Sequence, residues 1–340
     1  MPTKYDRERK ILLKKLLKNP RDLTTLLNLS HLERRMGKYS SALRKYESVL
    51  FLSPPDDPTW EIDALLGISA TYRGMGNFPM AKAYLEEAGR RIRQARDWES
   101  LPFYYWLKGG IDRFSGKLKR AIRWYEKGVL WAEKLKDIEG KAYLLAGMGG
   151  TYRVMGEYRK SYLSYRSAYT LFFSTNDLFG KAYTSCGIGN AYRMMGRFLS
   201  AQPFYLQAVD LYKKLGDSVS IAYTYLALSI LKKIQGKIPS ARNYLKKAVT
   251  LFSRTYDERG KAYGKLQEWE ISALMGDPPP PGRIAKEIQE WEKKGFHLEY
   301  LYGKLLYGIL YDPDTIPRIH TSLKRAGSLF TPTSLPLNFP

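Results

Sequence analysis

Two residue types recur along this chain at a fixed interval, and that interval limits what it can fold into. Glycines stand at Gly37, Gly76, Gly116, Gly156, Gly196, Gly236 and Gly276, spaced by 39 residues once and by 40 thereafter. Aspartates stand at Asp57, Asp97, Asp137, Asp177, Asp217 and Asp257, spaced by 40 each time. Such self-similarity marks stacked units, each too small to bury its own apolar face. The two columns have separate local causes. An Asp ahead of an apolar-periodic run accepts from the free N–H groups of a helix start, and its charge suits the positive end of the dipole. A Gly behind such a run adopts the left-handed conformation that ends a helix. Asp177 to Gly196 therefore frames one helix. Phe198, Ala201, Tyr205, Ala208 and Leu211 follow at spacings of three and four and make a second. The unit is helix–turn–helix, with short joints such as Lys214-Leu215-Gly216-Asp217.

Further columns share the phase. Five residues after the glycines come Ala42, Ala81, Ala121, Ser161, Ala201 and Ala241. Seven before them come Ser30, Ser69, Gly109, Gly149, Gly189 and Ser229. Small residues facing one another let two helix axes approach closely. The stretches GMGGTYRVMG and GIGNAYRMMG invite a phosphate-loop reading, but no Lys-Ser or Lys-Thr follows at the required spacing and no strand precedes them. Each helical glycine costs about 1 kcal/mol against alanine. Close helix packing accounts for Gly149 and Gly189; a ligand approaching the backbone is the expectation for Gly147, Gly150 and Gly187.

The set Gly189, Tyr192, Gly196, Phe198, Ala201, Tyr205 and Ala208 resembles the tetratricopeptide repeat, in a 40-residue form similar to Pins-type and kinesin-light-chain-like repeats. The resemblance covers about residues 20–276. It implies an all-α fold, a right-handed α-α superhelix (a solenoid) of about seven helix–turn–helix repeats with helical caps. Residues 1–20 are expected as a basic capping helix, 21–276 as the solenoid, 277–311 as a C-terminal helical cap and 312–340 as a Pro-rich extended tail. That tail is a candidate internal plug of the scaffold's own groove.

In that family the first helix of each pair lines the concave surface. The resemblance thereby implies a partner-binding stripe of Tyr143, Tyr183, Tyr223 and Tyr263, then Gly110, Gly150 and Asn190, then Arg73, Arg113, Arg153, Arg193 and Lys233, with Arg34 at the head of the last column. The arginines also suit the negative end of a helix dipole, and the tyrosines also suit packing. Only Asn190 holds the place of the family's backbone-gripping asparagines, and the two-carboxylate clamp pattern is missing.

The chain carries 56 Lys and Arg against 33 Asp and Glu, a net charge of +23, which favours acidic partners. The expected function is a non-catalytic scaffold that binds an acidic peptide or helix of a partner protein in the groove. Nucleic-acid binding through the basic surface is the alternative, with Tyr and Arg to stack bases and neutralise phosphates. Enzyme chemistry, metals and cofactors are not expected: His31, His297 and His320 are scattered, and the one cysteine, Cys186, lies within a helix. No apolar run is long enough to cross a bilayer and no secretory signal opens the chain, so a cytoplasmic protein is expected.

Overall fold

The computed structural model describes residues 2–340, and among them the regular elements are all helical. Helix α1 (Lys4–Lys18) opens the chain. Seven pairs follow: α2 (Leu23–Arg35) with α3 (Tyr39–Leu52), α4 (Thr59–Met75) with α5 (Phe78–Ala95), α6 (Leu101–Phe114) with α7 (Leu118–Leu135), α8 (Ile138–Met155) with α9 (Tyr158–Thr175), α10 (Leu178–Met194) with α11 (Phe198–Leu215), α12 (Ser218–Ile234) with α13 (Ile238–Arg254), and α14 (Glu258–Leu274) with α15 (Pro281–Lys293). Helices α16 (His297–Tyr311) and α17 (Ile316–Arg325) come last.

The periodic residues act locally. Asp137, Asp177, Asp217 and Asp257 are the N-caps of α8, α10, α12 and α14, each carboxylate accepting a backbone N–H of the first turn. Asp57 and Asp97 do the same from slightly further out, accepting from the N–H groups of Thr59 and Ser100. All seven column glycines have φ between 71° and 88°, the region that ends a helix at least cost in glycine. The small columns meet as their spacing implies: Ser69 Oγ donates to the Ala81 carbonyl and Ser229 Oγ to that of Ala241, both at 2.8 Å.

Two of the caps, Asp217 and Asp257, are deeply buried. Burial raises the Asp217 carboxyl from 3.8 to about 6, against the hydrogen bonds it accepts from Ser220. A raised folded pKa gives stability that is complete below the unfolded value of 3.8 and is lost as pH rises through about 6. Asp217→Asn keeps the cap. It is expected to flatten the pH dependence of thermal unfolding between those two values; an unchanged slope would assign that dependence to other groups.

First helices of successive pairs touch one another, whereas second helices are splayed apart. Each pair is thus a wedge, and the stack curves into a right-handed superhelix with α4, α6, α8, α10, α12 and α14 on the concave side. The winding is tight enough for its turns to meet. Gly37 lies against Val219 and Thr255, and Gly76 against Phe296. Tyr5 and Leu32 are buried with Tyr212 and Leu215 of the fifth pair. Trp291, Leu305 and Leu323 of the last three helices join a core with Phe78, Leu118 and Ile122 of the second and third pairs.

Residues 312–340 are not extended throughout, as their prolines suggest. Helix α17 occupies 316–325 and buries Ile319 and Leu323. Pro317 stands in its first turn, where a helix loses nothing by lacking the N–H. Only the stretch after 327 runs without helix.

Candidate functional site

The helical glycines answer to tyrosines of the second helices. A methyl group at Gly109 or at Gly147 would stand 2.6 Å from the Tyr125 ring, which lies between them. Tyr165 fits between Gly149 and Gly187 in the same way, and Tyr46 covers Gly67. Gly150 makes room for the Arg113 guanidinium, and Gly110 for that of Arg73. The expected ligand at Gly147, Gly150 and Gly187 is thus replaced by side chains of the preceding repeat. The floor of the groove is filled from within.

The tyrosine column is half-buried, and most of its hydroxyls have partners inside the chain. Tyr143 donates to the Asp177 carboxylate at 2.6 Å and Tyr223 to that of Asp257 at 3.2 Å, latching each helix to the cap of the next repeat. Burial, then the carboxylates, hold both phenols well above their usual range, so they remain donors. Tyr263 accepts from Arg259 Nη2 at 3.3 Å, and Tyr183 stacks on Phe179. Asn190 accepts from Tyr205 at 2.9 Å and from Arg193 at 3.3 Å. Cys186 accepts weakly from Asn190 and Thr224, and burial pushes its thiol up, away from nucleophilic form.

The arginine column divides into two parts. Arg34, Arg73, Arg113 and Arg153 have no carboxylate within ion-pair distance among the described residues. Arg73 lies over the Trp106 ring at 4.0 Å, and Arg113 over Phe114 at 4.4 Å. The Nε atoms of Arg34 and Arg153 are buried without a hydrogen-bond acceptor. Burial, and then the nearby charges of Arg113 and Arg34, pull Arg73 down to about 10 against the opposing pull of Tyr125. Arg34, Arg73 and Arg113 of three consecutive repeats thus stand close enough to feel one another's charge, and neither they nor Arg153 of the fourth have a carboxylate partner.

The other part is occupied. Arg193 and Lys233, 1% and 2% exposed, hold the chain's own C-terminal segment. Arg193 donates to the Phe339 carbonyl at 2.9 Å and to the Asn338 side-chain oxygen; Asn338 in turn donates to the Arg193 carbonyl at 3.2 Å. Lys233 donates to the Leu337 carbonyl at 2.9 Å, to Gln267 at 3.0 Å and to Glu270, which accepts the Leu337 N–H. Burial draws Lys233 down to about 8 despite the carboxylate beside it. The Phe339 ring packs on Tyr302 and Phe330, with centroids 5.5 and 5.9 Å away. Upstream, Ser328 Oγ and the Leu329 N–H donate to the last carbonyls of α8, those of Val154 and Met155.

Glu270, Gln267 and Tyr302 belong to this arrangement although the repeat columns give no hint of them. Glu270 left one trace, a carboxylate set between the large apolar residues Trp269 and Ile271. Arg259 and Glu299 left a clearer one: they form a buried pair at 2.6 Å and stand one 40-residue period apart.

A curved stack of helix pairs around a cation-lined concave face defines a helical repeat scaffold. The tetratricopeptide repeat family matches residues 180–254, and the chain as a whole has a tetratricopeptide-type repeat fold. No curated protein matches its sequence. Among solved structures it is similar to a Rap protein complexed with Competence and Sporulation Factor, at 10% identity and a TM-score of 0.67 over 88% of each chain. It is similar also to aspartyl phosphate phosphatase F from Bacillus subtilis, at 9% identity and a TM-score of 0.58 over 93% of this chain and 96% of that one. A STAND-type signal transduction ATPase from Pyrococcus horikoshii, which carries a tetratricopeptide repeat sensor, aligns at 15% identity and a TM-score of 0.51, over 94% of this chain and 46% of the ATPase. Identities this low establish the shared fold. Among the described residues no helix is long and apolar enough to cross a membrane.

Proposed function

We propose that the protein is a non-catalytic interaction scaffold that takes an acidic, extended segment of a partner protein along its concave face. The observation that carries this reading is the column Arg34, Arg73, Arg113 and Arg153, four cations that lack carboxylate partners. Cations drawn partly out of water without counterions are costly, and carboxylates supplied by a ligand relieve that cost through charge-assisted, bidentate hydrogen bonds. Rings and glycines hold Arg73 and Arg113 in place beforehand, so little side-chain entropy is lost on binding. The Rap complex supports the reading, since that protein, of the same fold, is complexed with a factor.

The test is fluorescence anisotropy with a labelled ten-residue oligoglutamate probe. Arg73→Ala with Arg113→Ala is expected to weaken binding at least about tenfold, the loss of two charge-assisted contacts. Equal affinity for wild type and variant would sink the proposal. So would a preference for an oligonucleotide of equal charge whose affinity falls steeply with salt.

A further inference from the structure

The polar groups around residues 337–339 are out of proportion to a packing role. Arg193, Lys233, Gln267 and Glu270 are each no more than 2% exposed; three of them bond to residues 337–339 of the tail, and Gln267 accepts from Lys233 behind them. A plug meant only to close a core is held more readily by apolar side chains, because buried ions lose their water at a high cost. These groups grip the tail by its backbone: Leu337 N–H, Leu337 carbonyl and Phe339 carbonyl are all taken by side chains of α10, α12 and α14. Selectivity comes from two further features, the two-way bond between Asn338 and Arg193 and the aromatic seat under Phe339. Between this anchor and the buried Phe330, residues 331, 333, 334 and 336 are exposed, and a hydrogen bond joins His320 to the Pro332 carbonyl. A short anchor on an exposed bridge is the kind of segment that opens locally while the rest of the fold stays intact.

We propose that the cleft between the C-terminal ends of α10, α12 and α14 and helix α16 is a second peptide-binding site. It reads an extended Leu-Asn-Phe segment of a partner protein, and the chain's own tail is its exchangeable internal competitor. Tethering gives the tail an effective concentration in the millimolar range, so a free ligand binds weakly until the tail is loosened. Arg153 lies near enough for its charge to reach Tyr302, but the two tests use different variants and different probes, acidic there and without charged side chains here, so either proposal can fail alone.

The probe is a labelled octapeptide with the sequence of residues 333–340, TSLPLNFP, titrated into the 340-residue chain. Asn338→Ala with Phe339→Ala is expected to bind it at least about tenfold more tightly than wild type, because the tethered competitor is gone. A probe with alanine in place of its asparagine is expected to lose that gain. If the double variant loses its cooperative melt, Asn338→Ala alone serves, since it removes side-chain hydrogen bonds and leaves the aromatic seat filled. A folded variant that binds the probe no better than wild type overturns the proposal: the tail is then a fixed part of the core. Self-association of wild type that disappears in the variant also overturns it, by making a second copy the occupant.

Discussion

Replacing Glu270 with alanine is expected to cost the fold about 3–5 kcal/mol, measured by urea denaturation, the range for breaking a buried ion pair by removing one partner. The carboxylate faces Lys233 with both side chains fully buried, and it also accepts the Leu337 N–H. Truncation leaves an ammonium and a backbone donor in an apolar site, with Gln267 as the one remaining side-chain acceptor for the lysine. Glu270→Gln keeps an oxygen for both donors and is expected to cost less than half as much. The paired change Lys233→Met with Glu270→Leu removes both charges and is expected to come close to wild type. A cost below about 1 kcal/mol for the alanine variant would mean that water reaches the pair and that the tail is not seated on it.

The second large effect concerns the glycines. Gly147→Ala gains about 1 kcal/mol of helix propensity. Against that, its methyl stands 2.6 Å from the buried Tyr125 ring, which Gly109 blocks from behind. The ring has nowhere to move, and overpacking of this kind is expected to leave a net loss of about 2–3 kcal/mol. The chain supplies the compensating change. In the second pair the tyrosine position holds Leu85, and the facing glycine position holds Leu107. Tyr125→Leu in the Gly147→Ala background is therefore expected to recover at least about 1 kcal/mol relative to the sum of the single changes. Additive single effects would show that ring and glycine are not in contact.

That pairing also shows which parts of the molecule are legible in the sequence. Caps and helix ends are, because each depends on its own backbone: an Asp before a first turn, a Gly at positive φ. The role of Gly67, Gly147 and Gly187 depends on a residue in the repeat before. The signal exists, since Tyr46, Tyr125 and Tyr165 precede glycine, Tyr205 precedes Ala227, and Leu85 precedes Leu107. It emerges only when adjacent units are compared for size rather than each unit for itself. The arginine column is legible as a helix face, but a face does not reveal what covers it. Arg153 and Arg193 occupy equivalent positions, yet one has a free Nε and the other is closed over by Asn338, 145 residues away. No period links the tail to its seat, so its prolines suggest a plug without locating it.

The contact of Gly37 with Val219 and Thr255 has a bearing on how the molecule comes apart. In an open solenoid each unit leans only on its neighbours, so the array frays from its ends and tolerates being shortened. Here the first pair rests on the first turn of α12 and on the joint that precedes the seventh pair, and α1 on the fifth. The sequence separation of these contacts runs from 182 to 218 residues, which slows the search for the native state and ties both ends to one transition. The chain behaves less like a row of beads than like a coiled spring with its turns stuck together.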